Sequence, residues 1–189
     1  GHLQNIDIDK NLDVIKDSKI FLTQMETPDL TTMYALKKAK ENNCLTILNP
    51  APARKIRKKD FSLLDFFTPN ETEAEFYLNK KIETKEDIQN AAKEFLSMGV
   101  KNIIITLGAK GVYFENKKEN YFIDALSLKD EVIDTTGAGD AFNGALAVAL
   151  AKDTNHKDAI IFANKVGGIS TTKLGAANSM PTLKEVDNY

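Results

Sequence analysis

The stretch DTTGAGDAF, residues 134–142, decides the fold around it. Residues 131–133 before it read as an extended piece, and small or apolar residues recur after it at helical spacing as far as Leu150. The pattern therefore predicts a strand, a glycine turn and the N-terminus of a helix. The first amides of a helix attract anions, phosphate above all, because they lack partners and lie at the positive end of the helix dipole. Gly137 and Gly139 would let the backbone approach such an anion closely.

Asp140, in the first turn of that helix, admits two interpretations. A carboxylate there is ordinary as a cap or as a partner of the helix dipole. Beside a phosphate it would be repelled unless it had a chemical task, such as accepting the proton of a hydroxyl group that attacks the phosphorus. Phosphoryl transfer to an alcohol and a structural glycine turn with a capping aspartate both fit these residues.

The composition is that of a soluble globular protein. The 189 residues are 42% hydrophobic and 28% charged, with a net charge of −2, so electrostatics gives no reason to expect nucleic acid or a membrane as partner. A single cysteine, Cys44, and two histidines argue against a disulfide or a zinc site and favour a cytoplasmic location. No apolar run has the length of a membrane span, and neither the P-loop nor the dinucleotide fingerprint occurs.

Strands and helices alternate along the chain, which is typical of a parallel sheet with crossover helices. Strands are predicted at residues 19–23, 45–48, 66–68 and 101–107, and helices at 28–42, 70–78, 84–98, 138–150, 157–172 and 181–189. Residues 112–115 and 121–123 are predicted to form an antiparallel edge. In the predicted helix 28–42, Leu30, Met33 and Tyr34 would lie on one face. One α/β unit over residues 1–189 is the simplest interpretation.

Five motifs then give the chain a family resemblance. They are QME at 24–26, NPAPA at 49–53, TPNETEAE at 68–75, TLGAKGV at 106–112 and DTTGAGDAFNG at 134–144. In this order they resemble the C-terminal part of the PfkB-type carbohydrate kinases, most closely the ribokinase branch, over essentially the whole chain. The resemblance implies a ribokinase-like α/β fold, with a mostly parallel sheet flanked by helices and a short antiparallel edge.

The resemblance also implies what the chain lacks. A complete family member has a preceding half with more strands, most of the sugar contacts and a β lid, so we expect this N-terminal half and the lid to be absent here. The chain alone would then be poorly active or inactive, and its unpaired sheet edge would favour self-association. The full-length protein is expected to be a homodimer.

Catalytic roles follow from the same resemblance. Asp140 would be the base toward the primary hydroxyl of a sugar, and the amides of Gly137, Ala138 and Gly139 would form the anion hole for the transferred phosphoryl group. Glu26 would bind sugar hydroxyls together with Asp140. An exposed Glu26 near the start of a helix is the alternative, and a carboxylate by itself does not select ribose over other sugars.

Nucleotide and metal ligands are implied as well. The residues expected to contact ATP are Asn70, Thr106, Gly108, Ala109, Gly111 and Asn164. Glu73, with Asn70, would help place Mg2+ and the phosphates, and a K+ site would use mostly backbone oxygens of Asp134, Thr136, Ser170, Lys173, Gly175 and Ser179. The alternatives are a capped helix start for Asn70 and Glu73 and a satisfied polar residue on a buried helix for Asn164.

The predicted function is ATP-dependent phosphorylation of a sugar primary hydroxyl, D-ribose to ribose 5-phosphate, with small-molecule sugar and ATP as partners. Within the same chemistry, fructokinase-like or adenosine-kinase-like acceptors are the alternatives. A non-catalytic nucleotide-binding fragment is the alternative from another class of protein. The presence of Asp140 favours a kinase over a non-catalytic fragment.

Overall fold

A computed structural model describes residues 2–189. In these residues it contains eight α-helices, six β-strands and three short 3-10 turns. The strands are β1 (Ile20–Thr23), β2 (Leu45–Leu48), β3 (Phe66–Phe67), β4 (Asn102–Thr106), β5 (Val112–Asn116) and β6 (Asn120–Ile123). The helices are α1 (Asn5–Lys10), α2 (Leu12–Lys16), α3 (Asp29–Glu41), α4 (Glu71–Leu78), α5 (Lys85–Met98), α6 (Ala138–Ala151), α7 (His156–Ser170) and α8 (Leu183–Asp187).

The strands form one sheet in the order β1-β2-β3-β4-β5-β6. The first four are parallel neighbours, with Ile20 opposite Leu45 and Phe66 opposite Asn102. Three residues join β5 to β6, and the amide of Asn116 donates to the carbonyl of Glu119 at 3.0 Å. So short a connection can only produce an antiparallel hairpin. The predicted fold class, a mostly parallel sheet with an antiparallel edge, is confirmed.

The chain divides into two compact units. The first contains residues up to Leu107 together with Tyr113–Phe122, and the second contains Gly108–Val112 and Ile123–Tyr189. The core of the first unit is built on aromatic rings, with centroid distances of 5.2 Å for Phe67 and Phe95 and 5.5 Å for Phe61 and Phe67. All three rings are buried, and their edge-to-face or tilted geometry favours the contact beyond simple burial.

Helix α5 shows how local sequence sets the element boundaries. Thr84 caps its N-terminus, because Thr84 Oγ1 accepts from the amide of Asp87 at 3.1 Å and the Asp87 carboxylate accepts from the amide of Thr84 at 2.9 Å. Gly99 ends it with a φ of +113°, a conformation that glycine adopts without strain. Of the apolar stripe that helical spacing predicts, Ile88, Ala91, Ala92 and Phe95 are buried, and Leu96 is half-buried.

In the second unit, α6 and α7 pack against each other at close range. A Cβ atom at Gly167 would stand 3.1 Å from the carbonyl oxygen of Ala138 and 3.4 Å from Cβ of Phe142. Glycine at position 167 therefore permits the contact that brings the N-terminus of α6 onto the C-terminal part of α7. Within residues 2–189, no helix is both long and apolar enough to cross a bilayer.

Two sequence predictions are wrong, the strand at 131–133 and the burial of α7 on all sides. Residues 131–133 form no strand, because their backbone meets the end of α7, where the amides of Ile133 and Asp134 donate to the Thr171 carbonyl at 2.8 and 3.1 Å. Leu30 of α3 is 73% exposed, whereas Met33 of the same helix is buried. Ile161 is 42% exposed, so α7 is not buried on all sides. The N-terminal helices α1 and α2 were not predicted.

Candidate active site

Predicted ligands of the first unit lie at one edge of its sheet. Glu26 follows β1, Asn70 follows β3 and Thr106 is the last residue of β4, so all three are at the carboxyl ends of parallel strands. Asn70 and Thr106 pair as an isolated parallel bridge. Glu26 and Asn70 are exposed, and Thr106 is half-buried. This edge is where open α/β sheets bind ligands.

Asn70 and Glu73 form a reciprocal cap at the start of α4. Asn70 Oδ1 accepts from the amide of Glu73 at 2.8 Å, and Glu73 Oε2 accepts from the amide of Asn70 at 2.9 Å. Burial raises the pKa of Glu73, and the bond from the Asn70 amide opposes that rise. Asn70 and Glu73 therefore form the capped helix start that was the alternative interpretation. Only Oε2 of Glu73 takes part in the cap, and Oε1 does not.

The turn that precedes α6 belongs to the second unit. Gly137 is the N-cap with a φ of +78°, and the amide of Ala141 donates to its carbonyl at 2.8 Å. The amide of Ala138 donates to the Thr135 carbonyl at 3.2 Å. The amide of Gly139 has no acceptor within the described helix Ala138–Ala151, as for any residue in a first turn. The exposed side chain of Asp140 belongs to the same turn. The turn can therefore hold an anion and accept a proton.

Gly137 cannot be exchanged freely for another residue. A Cβ atom on Gly137 would lie 3.0 Å from Cβ and 3.1 Å from Cα of Ala176. The loop after α7 thus packs directly on the predicted anion hole. Only glycine combines this approach with a positive φ.

Asp134 ties the same loop to the turn. Its Oδ1 accepts from the amide of Thr136 at 2.9 Å, and its Oδ2 accepts from the amide of Gly175 at 2.9 Å. The bonds from Thr136 and then from Gly175 lower the pKa of this carboxyl. Three of the predicted K+ residues are therefore brought together.

The other predicted K+ residues satisfy their side chains locally. The Ser170 hydroxyl donates to the Gly167 carbonyl at 2.8 Å, and the Ser179 hydroxyl donates to the Ala176 carbonyl at 2.7 Å. Lys173 pairs through its ammonium group with Glu185 of α8. Lys173 could therefore offer a cation only its backbone oxygen, whereas the two donating hydroxyls keep their oxygen lone pairs. No group of three or more His, Cys, Asp or Glu side chains among residues 2–189 is placed to hold a metal ion.

Two predicted nucleotide residues of the second unit, Gly111 and Asn164, contact the same segment, residues 123–125. A Cβ atom at Gly111, whose φ is +93°, would stand 2.0 Å from the Ile123 carbonyl oxygen. Asn164 Nδ2 donates to the Asp124 carbonyl at 2.8 Å. Asn164 is thus a satisfied polar residue that fixes this segment. Gly108 and Ala109 are exposed in a 3-10 turn.

A comparison with known families identifies the chain. Residues 3–183 match the family described as pfkB family carbohydrate kinase. The chain belongs to this family. It is 40% identical over 176 residues to a ribokinase of Staphylococcus aureus, covering 93% of this chain and 57% of that protein. It therefore spans less than two thirds of the length of this relative.

Solved structures agree with the pfkB assignment. A ribokinase of Thermotoga maritima superposes with a TM-score of 0.88 at 38% identity, covering all of this chain and 61% of that one. A ribokinase of Arabidopsis thaliana, solved with ribose and ATP, gives a TM-score of 0.90 at 30% identity, covering 95% of this chain and 58% of that one. The fold is therefore ribokinase-like, as the five motifs imply.

Sequence reasoning missed three side chains that bond near predicted site residues, two in the first unit and one in the second. Asn49 and Gln24 lie in the quoted motifs without an assigned role, and Glu185 was not considered. Asn49 Oδ1 accepts from Gln24 Nε2 at 2.9 Å, while Glu185 holds Lys173. Their position within the motifs was a signal for Asn49 and Gln24. No local sequence pattern predicts that Glu185 pairs with Lys173, twelve positions away.

Proposed function

We propose that the chain is the nucleotide-binding and catalytic part of a kinase that transfers the γ-phosphoryl group of ATP to the primary hydroxyl of D-ribose, giving ribose 5-phosphate. The observation that carries the proposal is the glycine-capped start of α6, where Asp140 shares a helical turn with amides suited to an anion. Similarity to ribokinases, one of them solved with ribose and ATP, supports the sugar and the phosphoryl donor.

In the proposed reaction the sugar hydroxyl attacks the γ-phosphorus and the bond from phosphorus to the oxygen of ADP breaks. Asp140 orients the hydroxyl and takes its proton late, because a carboxylate is too weak a base to deprotonate a free alcohol in advance. The amides of Gly137, Ala138 and Gly139 face the negative charge that spreads over the phosphoryl oxygens. The bond from Ala138 to Thr135 would weaken as that amide turns to the phosphate.

The side-chain oxygens of Asn70 and Glu73 suit a Mg2+ ion that is bound through water molecules. Mg2+ prefers oxygen ligands and retains several waters, and Glu73 keeps Oε1 outside its cap. Bound there, Mg2+ would neutralise charge on the nucleotide phosphates. Thr106, Gly108, Ala109, Gly111 and Asn164 would contact the rest of ATP, the last through the part of its amide that does not hold Asp124.

For K+ we propose the loop after α7 and the segment at Asp134. Asp134, Thr136 and Gly175 already lie within hydrogen-bond reach of one another. Carbonyl oxygens of Ser170, Lys173, Gly175 and Ser179 would complete the shell. The cation would then hold the Gly137 turn in shape through the contact with Ala176.

A non-catalytic role for the isolated chain has its own support, because the chain spans 57% of its Staphylococcus aureus relative. We propose that residues 1–189 act as one α/β unit, that the isolated chain turns over poorly, and that the full-length protein is a cytoplasmic homodimer. Glu26 would bind sugar hydroxyls, although it would do so equally for fructose or adenosine.

The test is an ATP-dependent phosphorylation assay with ribose, fructose and adenosine, run on this chain and on the full-length natural protein. In the full-length protein, Asp140→Asn should lower kcat by about 10²–10⁴-fold. Asp158→Asn is the matched control, since Asp158 occupies the same third position in α7, and its kcat should not change. Normal turnover of Asp140→Asn contradicts the assignment of Asp140 as the base. A preference for fructose or adenosine contradicts ribose as the substrate but not the kinase activity. Equal rates in potassium, in sodium and without either contradict the cation site.

A further inference from the structure

The carboxyl ends of β1, β2 and β3 are connected by a bridge of side-chain amides. Asn49, the residue after β2, accepts from Gln24 Nε2 at 2.9 Å through Oδ1 and donates to the Thr68 carbonyl at 3.0 Å through Nδ2. Gln24 is the residue after β1, and Thr68 is the residue after β3. One asparagine therefore links the ends of both neighbouring strands.

The chemistry of the bridge requires an amide at Asn49. The Thr68 carbonyl can only accept, so Nδ2 of Asn49 must face it, and Oδ1 then faces the donor of Gln24. An aspartate would keep an acceptor for Gln24 but lose the donor to Thr68. Asn49 is 7% exposed and Thr68 is 1% exposed, and water replaces a lost hydrogen bond poorly at such buried positions.

Each end of the bridge stands two residues from a predicted ligand. Gln24 precedes Glu26 by two positions, and Met25 between them is fully buried with its amide bonded to the Ala51 carbonyl at 2.9 Å. Thr68 precedes Asn70 by two positions, and the carbonyl of Pro69 between them accepts from the Thr106 amide at 3.0 Å. The intervening residues are thus held in place by contacts of their own, and only one ordered residue separates each end of the bridge from its predicted ligand.

We propose that Asn49 is a positioning residue, which sets the separation between the sugar-binding carboxylate of Glu26 and the nucleotide-side amide of Asn70. This rests on the proposed function. A displacement of about 1 Å between reacting groups can lower turnover by about 10²-fold, so a buried amide that fixes two ligand segments contributes to rate without touching either substrate.

The sheet provides a matched control at its opposite edge. Asn102, the first residue of β4, also bridges two partners, because its Nδ2 donates to the Asp65 carbonyl at 2.9 Å and its Oδ1 accepts from Asn116 Nδ2 at 3.0 Å. The same chemical change at Asn102 removes a similar bond far along the strand from the ligand edge. It therefore separates positioning from general stability.

The experiment measures kcat and KM for ribose and ATP, together with the melting temperature, in the full-length natural protein. Asn49→Asp should lower kcat/KM for ribose by about 10–100-fold. Gln24→Glu, at the half-buried end of the bridge, should raise the ribose KM about tenfold and leave the ATP KM within about twofold. Asn102→Asp should stay within about twofold in all three kinetic constants.

The positioning role is overturned if kcat/KM for ribose in Asn49→Asp stays within twofold of the parent, or if Asn102→Asp loses as much kcat/KM as Asn49→Asp. If Asn49→Asp does not fold, Gln24→Glu decides, and an unchanged ribose KM overturns the proposal. A parent that phosphorylates no sugar overturns the proposed function as well, whereas an active parent with kinetically silent variants overturns the positioning role alone.

Discussion

A glycine-to-alanine series along α6 tests the predicted anion hole most directly, because one substitution is made at three positions with different surroundings. At Gly137 a methyl group meets a φ of +78° and contacts of 3.0 and 3.1 Å to Ala176. Left-handed backbone strain of about 1–2 kcal/mol and overpacking of about 1 kcal/mol together predict that the free energy of unfolding falls by about 2–3 kcal/mol. Activity should fall with it.

Gly139 and Gly144 separate folding from catalysis. Neither would bring a Cβ atom within 4 Å of another group, so alanine should raise the unfolding free energy by up to about 1 kcal/mol at Gly144. Gly139→Ala should fold as well but lower kcat by about tenfold or more, because the methyl group keeps the phosphoryl oxygens from the amides.

The measurements are urea unfolding of this chain and phosphorylation kinetics of the full-length protein. Full activity in Gly139→Ala would mean that the phosphoryl group does not meet these amides. Unchanged stability in Gly137→Ala would refute the packing of the turn on Ala176.

Three further predictions concern stability. Bonds from Lys173 and then Thr182 lower the pKa of Glu185 from 4.5 to about 2. Their contribution to folding stability is therefore present above pH 4.5 and lost as the pH falls through 2. Thermal unfolding measured against pH should show this loss in the parent and not in Glu185→Gln. Asn70→Ala removes the cap of α4 and should cost about 1 kcal/mol in urea unfolding, with no loss arguing against the cap. Phe67→Ala in the aromatic core should cost about 3–5 kcal/mol, and the half-exposed Phe76→Ala less than about 1 kcal/mol, so equal costs would contradict the core assignment.

Local chemistry determined much of this protein from its sequence. Thr84, Asp87 and Gly99 carry the signals that start and stop α5, and the apolar run Asn102–Thr106 marks a buried strand, because caps and periodicity act within a few residues. The order of strands and helices predicted the parallel sheet for the same reason. The motif at 134–142 predicted the glycine turn, and five motifs together gave the family.

Tertiary structure decided what depends on contacts between distant residues. Residues 131–133 look like a strand, yet they bond to Thr171, because a strand requires a neighbour that the sequence pattern does not specify. Leu30 is apolar but faces solvent, since burial depends on what packs against a helix. The amide bridge through Asn49 joins residues 24, 49 and 68. Hydrogen bonds over such separations leave no periodic signal, so only the folded sheet shows which of its asparagines connects the two predicted ligands.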